Sequence, residues 1–251
     1  MPIKLLTTVS KFVHLSLFCF MGLVSTSHAV QWNINDITPD RKTLAREEIQ
    51  TFEETFPSQG KGETKGVMGV LLINAPYDIV WDVISDWEAQ GDYVPGLEYF
   101  KVKHLFPGAS ESVWHSLVEG QLDIPFVDFR YTLDARFNKE QGIMLWNLLQ
   151  QEDIERFKQE KVDVRISDEK SLKNIEGFGQ IEAYNDYQTI YYYAPIVEVS
   201  APVPGFVEDI ISKVSLNRYL HAIKNRAEAE HQRARIESPK RIVDIIGPEI
   251  E

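Results

Sequence analysis

The stretch INAPYDIVWDVISDWE, residues 73–88, changes its hydrophobic period partway along, and that change decides how the rest of the chain is read. Tyr77, Val80, Trp81, Ile84 and Trp87 recur at steps of three and four, while Asp78, Asp82, Ser85 and Glu88 fall between them. Such spacing puts the apolar residues on one face of a helix. Asn74 is placed to cap its start, and Pro76 suits the first turn, where its missing N–H costs nothing. Asp78 sits where the helix dipole favours an acid. The acids are therefore spread around a helix instead of gathered into a catalytic cluster, and the tryptophans belong with the buried face.

Before this helix, residues 63–73 are rich in β-branched and aliphatic side chains and read as a strand that stops at Asn74-Ala75-Pro76. After the Pro95-Gly96 turn, strands are predicted over 97–106, 112–120, 125–137 and 143–150, then 175–184 and 188–199 around an Asn185-Asp186 turn. Their short connections imply antiparallel neighbours. Residues 151–174 are charge-rich, but Val162, Val164 and Ile166 alternate, so this is either a longer hairpin or an insert. From 206 to 236, Ile210, Val214, Leu220, Ile223 and Ala227 keep near-helical spacing and Pro239 closes the pattern, giving a helix about 45 Å long. A helix that long needs a large apolar surface to cover, and only the sheet supplies one. The expected fold is α+β, a curved antiparallel sheet of about six or seven strands around a long C-terminal helix.

The two ends of the chain read differently. Lys4 and Lys11 precede an apolar run at 12–24, followed by small and polar residues ending at Ala29, so residues 1–29 are expected to be a secretory signal peptide. The run is shorter than the ~20 residues needed to cross a bilayer. Cys19, the single cysteine, lies inside it, which leaves an exported chain without disulfide or thiolate chemistry. Removing Lys4 and Lys11 takes the net charge from −12 to −14, which disfavours nucleic acid and anionic surfaces. Residues 30–62 read as an N-terminal arm with a short helix around 44–56, residues 63–236 as one domain, and 237–251 as a tail.

The segment GVLLINAPYDIVWDVISDWEAQGDYVPGLEYFKV, residues 69–102, resembles the opening of the START-like or SRPBCC superfamily, especially its polyketide cyclase/dehydrase and coenzyme Q-binding branch. The matching features are the strand into Ala75-Pro76, then Val80-Trp81, Asp86, and Pro95 followed by Leu97. Gly177-Phe178, the strand Thr189-Ile190-Tyr191-Tyr192, and the run from Val203-Pro204 to Arg226 are similar to the family's later strands and closing helix. The resemblance covers roughly 63–235 and implies a helix-grip (Bet v 1-like) fold, whose members include lipid carriers and cyclases. The export signal and the long 151–174 interval depart from the usual pattern.

Site candidates follow from strand alternation. Over 125–137, Asp128, Arg130, Thr132, Asp134 and Arg136 share one face, which is expected to meet solvent. Val127, Phe129, Tyr131, Leu133 and Phe137 share the other. Phe129, Tyr131 and Leu133, with Trp87, Trp114, Trp146, Phe178 and Tyr192, are the candidate lining of a core or ligand cavity. Aromatics with polar tips suit a large apolar ligand bearing a hydroxyl or carbonyl. His104, His115, His221 and His231 lack ligand spacing, so neither a metal nor a cofactor is expected. No nucleophile elbow, P-loop or dinucleotide fingerprint is present. The expected function is an exported carrier, periplasmic in a bacterium, for a hydrophobic small molecule such as a lipid, isoprenoid, quinone or polyketide, with transient membrane contact. The alternatives are a polyketide cyclase or dehydrase, and an interaction module without ligand.

Overall fold

The computed structural model describes residues 37–57, 63–124, 127–151, 153–154, 157, 172–199 and 215–237. The expected signal peptide, the C-terminal tail, the alternating residues Val162, Val164 and Ile166, and positions 206–214 of the expected helix lie outside them. The described elements are α1 (Arg41–Ala45), β1 (Gln50–Pro57), β2 (Glu63–Ile73), α2 (Tyr77–Ser85), α3 (Trp87–Gln90) and β3 (Leu97–Pro107). They continue as β4 (Val113–Ile124), β5 (Val127–Asn138), β6 (Ile143–Leu148), β7 (Leu172–Asn185), β8 (Gln188–Val199) and α4 (Ser215–Glu237). The strands form one curved sheet of eight in the order β1-β2-β8-β7-β6-β5-β4-β3, antiparallel throughout.

The sheet curves around α4, which is seated on its inner face in a helix-grip arrangement. Leu216, Leu220, Ile223 and Ala227 of α4 pack against Leu71 and Ile73 of β2, Met144 of β6 and Tyr191 of β8, all of them buried. Over its 23 residues, α4 spans about 35 Å. Val80, Trp81, Val83 and Ile84 put the apolar face of α2 into the same core. No described helix is long and apolar enough to cross a membrane.

The start of α2 differs from its expected form. Pro76 is the N-cap, in an extended conformation, and no side chain bonds the first turn. Asn74 instead bridges two other parts of the chain, donating to Glu47 Oε1 at 2.7 Å and accepting from Gln188 Nε2 at 2.7 Å. The helix also breaks at Asp86, whose carboxylate accepts from the Ala89 N–H at 3.3 Å and opens α3. A short acid competes well for backbone donors, so it starts a new turn and swings Trp87 toward the sheet.

The N-terminal arm departs further. The helical reading of 44–56 holds only as far as Ala45. Glu47 then takes φ 61° and residues 50–57 pair along β2, from Gln50↔Val70 to Pro57↔Glu63. Thr51, Phe52, Thr55 and Phe56 suit a strand, and the free edge of β2 offers a full ladder of partners, which outweighs a weak helical period. The expected six or seven strands therefore become eight. Leu44 caps a second cluster on the outer face, built from Met68, Val70, Leu72, Tyr192, Ala194 and Ile196.

The polar row of β5 is also not uniformly wet. Thr132 and Asp134, assigned to solvent by alternation, are 2% and 4% exposed. Leu117, directly opposite Asp134, packs with Leu149, Phe157 and Phe106, so the chain leaving β6 folds back over this end of the outer face. Asp134 pairs with Arg136 at 3.1 Å.

Candidate functional site

Between the inner face of the sheet and the first turns of α4 lies a cavity of about 190 Å³. Its floor is made by Tyr131 and Leu133 of β5, Met144 and Trp146 of β6, and Ile175 of β7. Leu216 and Tyr219 of α4 form the roof, with Tyr193 and Val197 of β8 beside them. Trp87 and Gln90 of α3, with Phe100 and Leu122, close the far wall. Exposed Pro95, Gly96 and Arg218 form the mouth.

The lining rings make a continuous series of contacts. Tyr131 meets Phe100 edge-on at 6.4 Å, Phe100 meets Trp87 at 5.0 Å, and Trp87 meets Trp146 edge-on at 6.0 Å. Trp146 stacks on Tyr193 at 5.5 Å, and Tyr193 on Tyr219 at 4.1 Å. Such pairs are each worth about 0.5–1.5 kcal/mol beyond area burial, so the lining rings fix one another's positions as well as being placed by the sheet. Two glycines make the arrangement possible. Gly120 sits between Phe100 and Tyr131 in register, and a Cβ there would come within 2.7 Å of Phe100 Cε1 and 2.9 Å of Tyr131 Cε2. Gly177 lies opposite Trp146, and a Cβ there would overlap the indole.

Burial pushes the Tyr131, Tyr193 and Tyr219 phenols well up, so all three stay protonated through the physiological range. Gln90 is 1% exposed and donates to the Ile84 carbonyl at 3.1 Å, which fixes the amide at the wall. Among the described lining residues none is Asp, Glu, His or Lys, and Arg218 is the charged one. The described residues contain no group of three His, Cys, Asp or Glu able to hold a metal ion.

Of the residues singled out by alternation, Trp87, Tyr131, Leu133 and Trp146 border the cavity. Trp114 is on the inner side but packs elsewhere, stacked on Phe137 at 5.0 Å and edge-on to Trp81 at 5.9 Å. Phe178 and Tyr192 face the opposite way, in the outer cluster under the arm. The reason is parity. Gly177 and Gly179 take the inward positions of β7, and Tyr191 and Tyr193 those of β8, which turns the residues between them out. There the Tyr192 hydroxyl donates to Glu182 at 3.3 Å, and burial with that carboxylate pushes its phenol up to about 12. The side chain of Phe129 lies outside the described residues. Phe100, Tyr193, Tyr219, Gln90 and Arg218 are cavity residues that the sequence reading missed. The available signal was the pair of inward glycines, since a glycine on a buried strand face marks a place where a neighbouring ring comes close.

No protein-family model and no curated protein matches the chain. Solved structures do. The chain is similar to the Zhui aromatase/cyclase from Streptomyces sp. R1128, at 12% identity over 77% of this chain and 99% of that one, TM-score 0.47. It is similar to a START superfamily protein from Mycobacterium smegmatis, at 15% identity over 67% and 98%, TM-score 0.47. It is also similar to a STAR-related lipid transfer protein fragment from Xanthomonas axonopodis, at 12% identity over 76% and 96%, TM-score 0.49. Identity at this level leaves function to the chain's own residues.

Proposed function

We propose that the chain is an exported, non-enzymatic binding or carrier protein that shelters a hydrophobic small molecule of the lipid, isoprenoid, quinone or polyketide type in the cavity between the sheet and α4. The observation that carries this reading is a ring-lined space of about 190 Å³ kept open between the sheet and α4. Open apolar volume loses the contacts that close packing would give, so a cavity braced by six rings is a site for a guest. It is smaller than the roughly 300–1,000 Å³ of sites that engulf drug-sized ligands. The guest therefore places one ring system or chain end inside and extends through the mouth. The Tyr131 and Tyr193 hydroxyls have no hydrogen-bond partner among the described residues and are available to a carbonyl or hydroxyl of that guest.

The same lining favours holding a molecule over transforming it. General acid–base work needs a group whose pKa lies near the working pH, and the buried phenols are pushed away from it. Organic extraction and mass spectrometry of the purified protein, with thermal shift across a panel of apolar ligands, test the reading. A co-purifying apolar molecule and a raised melting temperature are expected, and Trp146→Ala is expected to weaken the shift. A consistently empty protein that no panel member stabilises sinks the reading. Export is tested separately by the N-terminus of protein recovered from the periplasm, where Val30 is the expected first residue and an intact Met1 overturns cleavage.

A further inference from the structure

We infer that the guest is an amphipathic anion, its apolar ring or chain in the cavity and its acidic head at Arg218; this rests on the cavity reading above. Among the described lining residues Arg218 carries the charge, and it stands at the mouth, exposed, on the first turn of described α4. Its neighbours on the helix do not satisfy it. One turn on, His221 and Ala222 supply no carboxylate, whereas Lys224 pairs with Glu47 and Glu228, and Arg226 and Arg233 share Glu230. Arg218 makes no ion pair or hydrogen bond among the described residues.

The geometry separates three classes of head group. A cation would gain from the aromatic faces but would meet a guanidinium at the entrance and no acid within the described lining. A neutral alcohol would reach the phenols but leave Arg218 unused. A carboxylate, sulfate or phosphate ester places its charge on a planar donor fork matched to it, with the apolar part continuing into the rings. The chain's net charge of −12 opposes any anion, but charges beyond a Debye length of about 8 Å are largely screened, so the adjacent arginine governs the mouth.

The test uses three probes with one ring body: 2-naphthylacetate, 2-(2-naphthyl)ethanol and 2-(2-naphthyl)ethylamine. Each is titrated calorimetrically into the intact protein and into the Arg218→Gln and Arg218→Glu variants. The acid is expected to bind the native protein roughly fivefold tighter than the alcohol, a preference that shrinks at high salt. It is expected to vanish in Arg218→Gln and turn toward the amine in Arg218→Glu, while the alcohol binds all three proteins alike. An acid preference that survives Arg218→Gln, or a native preference for the alcohol or amine, overturns the assignment and leaves the cavity standing. If none of the three probes binds, the cavity reading fails and the assignment falls with it.

Discussion

Lys224 is 8% exposed at its side chain and ties three parts of the chain together. Its ammonium reaches Glu47 Oε2 of the arm at 2.8 Å, Glu228 one helical turn on, and the Leu72 carbonyl of β2 at 3.3 Å. Glu228 in turn accepts from the Asn74 N–H at 2.9 Å. Read along α4, Lys224 looks like one cation among many, because burial comes from a contact 177 positions away that no local pattern announces. Breaking a buried ion pair costs about 3–5 kcal/mol, but Glu47 and Glu228 are 46% and 23% exposed and resolvate in part. Lys224→Met is therefore expected to cost about 2 kcal/mol, seen as a lower urea midpoint with an unchanged slope. Glu47 adds a pH dependence. Its bonds to Lys224 and Asn74 hold its carboxyl below the ordinary value of 4.5, so its contribution is present above that value and is lost as pH falls through the lowered one. Urea midpoints measured from pH 7 down to about 3 should fall less steeply in Glu47→Gln than in the native chain; parallel curves would exclude this carboxylate.

Strands β2 to β8 were readable from sequence, because each is a run of strand-forming residues bounded by turn residues, as β7 and β8 are around Asn185-Asp186, whereas β1 carried a helical period. Which residues of a strand face inward was not, since sliding the parity by one residue exchanges the two faces. Both faces of this sheet are covered by apolar residues over part of their area, so Phe178 and Tyr192 looked as suited to the cavity as Tyr191 and Tyr193 do. The separation is measurable. Phe178→Ala removes a ring from the outer cluster and is expected to cost about 3 kcal/mol while leaving ligand affinity intact. Gly177→Val pushes a branched side chain into the Trp146 indole and is expected to cost about 1–3 kcal/mol and also to lower ligand affinity, because Trp146 is a wall of the cavity. Chemical denaturation and titration of the same two proteins give both readouts; a Phe178→Ala protein that folds but no longer binds would show that the two faces are coupled.

The arm is where local pattern and whole-molecule packing disagree most. A helix-grip sheet leaves β2 at an edge unless something pairs with it, and here β1 does, while α1 and Leu44 cover the outer apolar cluster behind it. The opposite edge is protected by other means: β3 carries register shifts at Leu97/Tyr99 and Val102/His104 and exposes Lys101 and Lys103. Removing everything before residue 63 would leave β2 with an unpaired ladder beside newly exposed Met68, Val70 and Leu72. It would also take Glu47 from Lys224. An edge that is both unpaired and apolar invites pairing with another chain. The shortened protein is therefore expected to melt about 4–8 °C lower, the shift that a loss of ~2 kcal/mol produces in a domain of this size. It should also self-associate, as read by light scattering after size-exclusion chromatography. The cavity walls lie on the other face and on other strands, so whatever fraction stays monomeric should still bind the ligand of the full chain. A shortened protein that remains monomeric with an unchanged melting temperature would mean that β1 is an ornament on a seven-stranded sheet and not its edge guard.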